Sequence, residues 1–124
     1  QTTEEEMSIV TDNDCRIDFI EKNYTFEERL DKAIEELGEL TEVLQDLKTY
    51  ADSDGIYCIP PELAGNIVGE LADVAIVTEQ LASTIGMKCV RDMVDLKIKR
   101  QLVRIEIERL NAAIRCLPQL RNIK

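Results

Sequence analysis

The chain has 124 residues, room for one domain with one core, and carries 25 acidic against 15 basic side chains with no histidine, a net charge of −10. That charge opposes nucleic-acid backbones and anionic lipid, and no apolar run approaches the roughly 20 residues of a membrane span. Aromatics at 4%, no Trp, five Gly and three Pro indicate an all-α chain, because strands and their turns draw on those residues.

In chain order, Gln1 to about Ser8 is acidic, polar and without periodicity. Residues 1–12 are read as an unstructured or tag-derived terminus, and 13–124 as a single all-α domain. Asp12-Asn13-Asp14 can cap a short helix over Ile17, Phe19 and Ile20. Thr25-Phe26-Glu27-Glu28 matches the capping box that opens a helix. Behind it Leu30, Ala33, Ile34, Leu37, Thr41, Leu44 and Lys48 recur at three- and four-residue steps, so the first long helix is predicted from Phe26 to about Tyr50.

Asp52-Ser53-Asp54-Gly55 is a turn cluster. The segment Ala51 to Ile59 reads as a loop, a lid or the lip of a pocket. Pro60-Pro61 then favours a helix start. The second long helix is predicted over Pro61 to Ile85, with Gly86 as its stop. Its stripe is Ile67, Leu71, Val74, Thr78, Leu81 and Ile85, and its other sides are also apolar, which predicts a buried helix. The last helix is predicted from Lys88 to Arg115, with Pro118 beyond its end. It carries one stripe of Val90, Val94, Ile98, Leu102 and Ile105 and another of Leu96, Val103, Ile107, Leu110 and Ile114. A second stripe argues for a partner, most simply another copy of the chain. The expected architecture is a helical bundle of about four helices with a long C-terminal helix, in a homodimer or homotetramer.

The four cysteines, Cys15, Cys58, Cys89 and Cys116, form no Cys-x-x-Cys pair. They are expected to be free and mostly packed, in a reducing cytoplasm. No signal-peptide pattern is present.

Two segments repeat a pattern. Glu36-Leu37-Gly38-Glu39-Leu40 and Glu70-Leu71-Ala72-Asp73-Val74 both read Glu, Leu, small, acid, aliphatic. The spacing i, i+3 puts each pair of carboxylates on one helix face. Asp73 is the only charge in Leu71–Val77, and a buried carboxylate must meet a cation or take up a proton. Gly38 and Ala72 are small enough to let the two helices approach closely. Four convergent carboxylates without His or thiolate define a hard-oxygen site, so Mg²⁺ is expected, with Mn²⁺ as a substitute. Di-iron bundles need Glu-x-x-His, which a chain without histidine cannot supply.

Glu35-Glu36-Leu37-Gly38-Glu39-Leu40 followed by Glu70-Leu71-Ala72-Asp73-Val74 resembles the MazG-like all-α nucleotide pyrophosphohydrolases, whose signature is E-E-x-x-E and then E-x-x-D on the next helix. The resemblance spans about Leu30 to Arg104. It implies that Glu36, Glu39, Glu70 and Asp73 hold the metal and that Glu35 supports them. It also implies a dimer or tetramer, and hydrolysis of a nucleoside triphosphate, a deoxy or non-standard one included, to monophosphate and pyrophosphate. A downstream Asn-x-Lys-x-x-Arg-like stretch would correspond to Asp95, Lys97 and Arg100, with Asp95 in place of the Asn, as sugar or phosphate contacts. Lys97, Arg100 and Arg104 also form a basic stripe suited to phosphate in their own right. Glu39, with Glu36 beside it, is the expected catalytic base. Tyr24, Phe26, Tyr50 and Tyr57 are the aromatics near enough in sequence to stack a base. The competing expectation is a non-enzymatic helical adapter that binds a partner through the last helix.

Overall fold

The computed structural model describes residues 9–10, 14–51 and 59–121. The N-terminal segment, the 52–55 turn cluster, Tyr57 and Cys58 lie outside them. Four helices follow one another, α1 (Cys15–Lys22), α2 (Phe26–Lys48), α3 (Pro61–Ile85) and α4 (Met87–Arg121), and no strand occurs among the described residues. The chain divides into two compact units, Gln1–Ile85 and Gly86–Lys124. No helix among the described residues is long and apolar enough to cross a membrane.

Each start is written locally. Asp14 caps α1, its side chain accepting from Arg16 N at 3.0 Å. The same carboxylate is paired with the Arg16 guanidinium, whose hydrogen bonds pull its pKa down to about 2. Thr25 caps α2 in the full reciprocal box with Glu28, at 3.1 Å in both directions. Gly86 separates α3 from α4 at φ 144°, a backbone conformation that L side chains rarely adopt, and its carbonyl accepts from Val90 N.

In the first unit α2 and α3 run antiparallel. Arg29 near the start of α2 meets Thr84 near the end of α3, and Asp46 lines a cavity with Asn66 at the opposite ends. Helix α1 packs on α3. A bridge fastens all three: Arg29 Nη1 donates to Glu21 Oε1 at 2.8 Å and to Thr84 Oγ1 at 2.6 Å, and Thr84 donates to Glu21. The Phe26 ring lies 5.5 Å from the same guanidinium, within cation–π range.

The core is small. Among the described residues only Ile17, Ala33, Val77 and Ala82 are buried apolar side chains, with Glu36 and Gln80 buried as well. Much of the predicted apolar pattern faces outward instead. On α2, Ala33 is buried, but Ile34, Leu37 and Leu44 are exposed. On α3, Ile67, Val74 and Leu81 are half-buried, while Leu71, Thr78 and Ile85 are exposed. The expected buried helix is therefore covered on one side only. The reason is geometric: a helix apolar nearly all round does not say which side meets its neighbour, and one neighbouring hairpin partner covers one side.

Three local expectations also change. Gly38 and Ala72 are exposed, and a Cβ added at Gly38 meets nothing within 4 Å, so neither small residue creates the helix approach. Helix α4 continues through Pro118 to Arg121. Proline deletes one backbone donor there, in the last turn, where few bonds depend on it. Cys15, Cys89 and Cys116 are free as expected, but exposed rather than packed.

Helix α4, taken by itself, shows exposed side chains from Lys88 to Pro118. Its pairs are short-range and solvated: Lys88 with Asp92 at 2.8 Å and Lys99 with Asp95 at 2.7 Å.

Candidate metal centre

The seam between α2 and α3 is polar at its middle. Spacing 29, 33, 36, 40 on α2 meets spacing 70, 73, 77, 80 on α3, a helical repeat on both sides. It places Glu36 opposite Glu70 and Asp73. One carboxylate oxygen from each of Glu36, Glu70 and Asp73 lies within 4.8 Å of the others. Six ligands at 2.0–2.1 Å set neighbouring oxygens about 3 Å apart and opposite ones about 4 Å apart. A small contraction therefore brings these three onto one hard cation.

Glu36 carries the strain of the site. It is only 4% exposed. Its Oε1 accepts from Lys32 Nζ at 2.6 Å, whereas its Oε2 is buried without a partner, and so is Glu70 Oε2. An unsatisfied buried carboxylate oxygen costs on the order of 1–3 kcal/mol, more when ionised. Two of them lie in one cluster, and every ligand atom the three acids offer is oxygen. The residues present thus fit a magnesium-type ion.

The sequence pointed to Asp73 as the costly acid, and the structure points to Glu36. Asp73 is exposed at the open edge of the cluster, because the apolar residues around it in sequence lie on other faces of α3. Glu39 stands next to the group of three. The charge of Glu36 raises its pKa above the ordinary 4.5, helped by loss of solvent and by the charge and hydrogen bond of Glu70. Glu35 is more exposed and sits 3.8 Å from Lys32. Asp95, Lys97, Arg100 and Arg104 belong to the other unit, all exposed, and Asp95 is engaged by Lys99, whose pKa it raises.

A cavity of about 550 Å³ adjoins the cluster, with Glu36 and Asp73 in its wall. That is within the usual range for a small-molecule site. Ile20, Tyr24 and Ile76 supply apolar surface, and Arg29, Lys32 and Gln80 supply polar groups. Among the described residues Tyr24 is thus the candidate aromatic placed near the acids, while Tyr50 lines a separate hollow with Pro60 and Asn66 and Phe26 is engaged by Arg29.

Lys32 and Gln80 are the residues that the sequence reading missed. Lys32 was legible as the only cation one turn before Glu36. Its pKa is raised by the hydrogen bond to Glu36, so it stays charged beside the acids. Gln80 had no signal beyond being polar next to an apolar run.

No family model, no curated protein and no solved structure matches the chain.

Proposed function

We propose that the chain is a magnesium-dependent hydrolase that splits a nucleoside triphosphate into a monophosphate and pyrophosphate. The observation that carries this reading is the convergence of Glu36, Glu70 and Asp73 on one point, with two buried carboxylate oxygens left unpartnered. Glu36, Glu70 and Asp73 hold the ion, with Mn²⁺ as a substitute. When bound, the ion polarises a phosphoryl oxygen and lowers the pKa of a water. Glu39, kept partly basic by its acidic neighbours, accepts the proton of the attacking water. With Glu36 serving an ion, Lys32, now paired with it at 2.6 Å, would be free to pair with a phosphate oxygen, and Arg29 adds positive charge to the same wall. Tyr24 and Ile76 offer apolar surface to the base.

A panel of nucleoside triphosphates with pyrophosphate detection tests this. Mg²⁺-dependent release is expected for at least one, and Glu36→Gln is expected to reduce it at least 100-fold with helicity unchanged. The reading fails if no triphosphate is cleaved, or if Glu36→Gln cleaves as well as the parent.

A second reading, a helical interaction protein without catalysis, is favoured by the exposed apolar faces of α4. Indifference of the melting midpoint to millimolar Mg²⁺ and Mn²⁺ would select it.

A further inference from the structure

The cavity beside the acids has a second polar end. On α3 the residues that line it, Asp73, Ile76, Val77 and Gln80, recur at three- and four-residue steps and so share one face. Two helical turns, roughly 10 Å, separate Asp73 from Gln80. The face therefore runs from a carboxylate, across two aliphatic side chains, to an amide. On α2 the facing wall runs from Glu36 through Lys32 to Arg29, and Arg29 reaches Thr84, one turn beyond Gln80. Polar atoms without partners stand at both ends, Glu36 Oε2 at the first and Arg29 Nε at the second.

Gln80 is the anomaly of the second end. It is 6% exposed, although glutamine is a residue type mostly found in water. Its backbone carbonyl accepts from Thr84 Oγ1 at 3.1 Å, but its side-chain amide makes no hydrogen bond among the described residues. Burying an amide without a partner costs stability. Packing alone does not account for a glutamine here, since methionine would fill the same space without that cost. An amide offers a donor and an acceptor side by side. Its complement is a ligand edge with an acceptor and a donor side by side, which a nucleobase has and a phosphate has not. Tyr24 and Ile76 line the same cavity and supply apolar surface for the faces of a ring. Acids, cation, apolar wall and amide thus follow one another in the order of a nucleotide's own parts, from phosphate to ring edge.

We propose that Gln80 reads the base: its amide pairs with the hydrogen-bonding edge of a nucleobase held against Tyr24 and Ile76, and so sets which nucleotide the site accepts. The inference rests on the proposed nucleotide substrate, but it does not require that the nucleotide be cleaved.

The test compares ligands that differ only at that edge. Adenosine and inosine are set against purine riboside, which lacks their 6-substituent, and cytidine and uridine against pyrimidin-2-one riboside, which lacks their 4-substituent. Their triphosphates are given with Mg²⁺ to the full chain and to Gln80→Met, which keeps the length of the side chain without its hydrogen bonds. Helicity and melting midpoint are expected to hold in the variant. In the parent, kcat/KM is expected to favour the substituted member of at least one comparison by about 10-fold or more. In Gln80→Met that preference is expected to fall to about twofold or less, whereas a merely structural role would lower both members equally. Cleavage with the same discrimination in parent and variant overturns the inference and leaves the hydrolase reading standing. If no triphosphate is cleaved, the readout is the side-chain ¹⁵N amide signal of Gln80, assigned by its loss in Gln80→Met, during titration with the same nucleosides. A shift with any of them upholds the inference while the hydrolase reading falls, and no shift with any of them overturns both.

Discussion

The seam between α2 and α3 and the surface of α4 break opposite rules of folding. The seam buries what belongs in water: Glu36 and Gln80 stand beside a handful of small apolar side chains. Helix α4 exposes what belongs in a core, with Leu102, Val103, Leu110 and Ile114 open to solvent. Violations of both kinds are expected where a protein has work to do rather than where it is merely stable. The two need different remedies. A buried carboxylate oxygen needs a cation or a proton, whereas an exposed leucine needs another apolar surface. The proposed ion answers the first need, and nothing within α4's own unit answers the second.

The largest effect is expected from erasing the seam's polarity. Glu36→Leu/Glu70→Leu replaces a buried and a half-buried carboxylate, each with one buried oxygen that lacks a partner, by side chains of similar volume. Replacing buried charges by apolar groups is commonly neutral to stabilising by about 1–4 kcal/mol. The double variant is expected to melt several degrees higher than the metal-free parent and to lose all response to Mg²⁺. The parent is expected to gain about 2.7 kcal/mol at 100 times the dissociation constant of its ion. Melting followed by circular dichroism, with and without metal, reads both. If the double variant melts lower, the seam acids hold the unit together and the contrast with α4 collapses.

Much of the first unit was legible in the sequence, and for local reasons. The capping box at Thr25, the start at Pro61 and the stop at Gly86 are set by backbone donors within a few residues, so their elements fall where expected. The acids converge because i, i+3 spacing fixes a face on each helix. Which face of α3 would meet α2 was not legible. Val77 and Gln80 are buried and Leu71 is not, and a helix with apolar residues on most sides does not distinguish these registers. The weight placed on Asp73 failed for the same reason: its apolar neighbours in sequence surround the helix, not the carboxylate.

A smaller effect sharpens the electrostatics of the seam. Glu36 raises the pKa of Glu39, so ionised Glu39 is disfavoured in the folded state. That penalty is present in full above the raised folded pKa and is relieved as pH falls through it towards the ordinary 4.5. The metal-free parent is therefore expected to gain stability as pH falls from 7 towards 4.5, relative to Glu39→Gln, which lacks the titrating group. Metal affinity is expected to move the other way, falling with pH in the parent, and to be about 10-fold weaker in Glu39→Gln. Isothermal titration with Mn²⁺ at pH 7 and pH 5.5 reads the second trend. A parent and variant with identical pH profiles would detach Glu39 from the site.

The smallest effect probes the outer surface of the same helix. Gly38 sits in the interior of α2, where glycine costs about 1 kcal/mol relative to alanine. In the single chain a Cβ at this position meets nothing within 4 Å, and neighbouring Leu37 is exposed. Gly38→Ala is therefore expected to stabilise the protein by about 0.5–1 kcal/mol if that face of α2 stays in water. If another copy of the chain lies across it, the added methyl group meets that copy, and the gain shrinks or changes sign as association strengthens. Chemical denaturation of parent and variant across a range of protein concentrations separates the two cases. A constant gain leaves Gly38 outside any contact between copies. A gain that fades with concentration places such a contact on α2 itself, one face away from the acids.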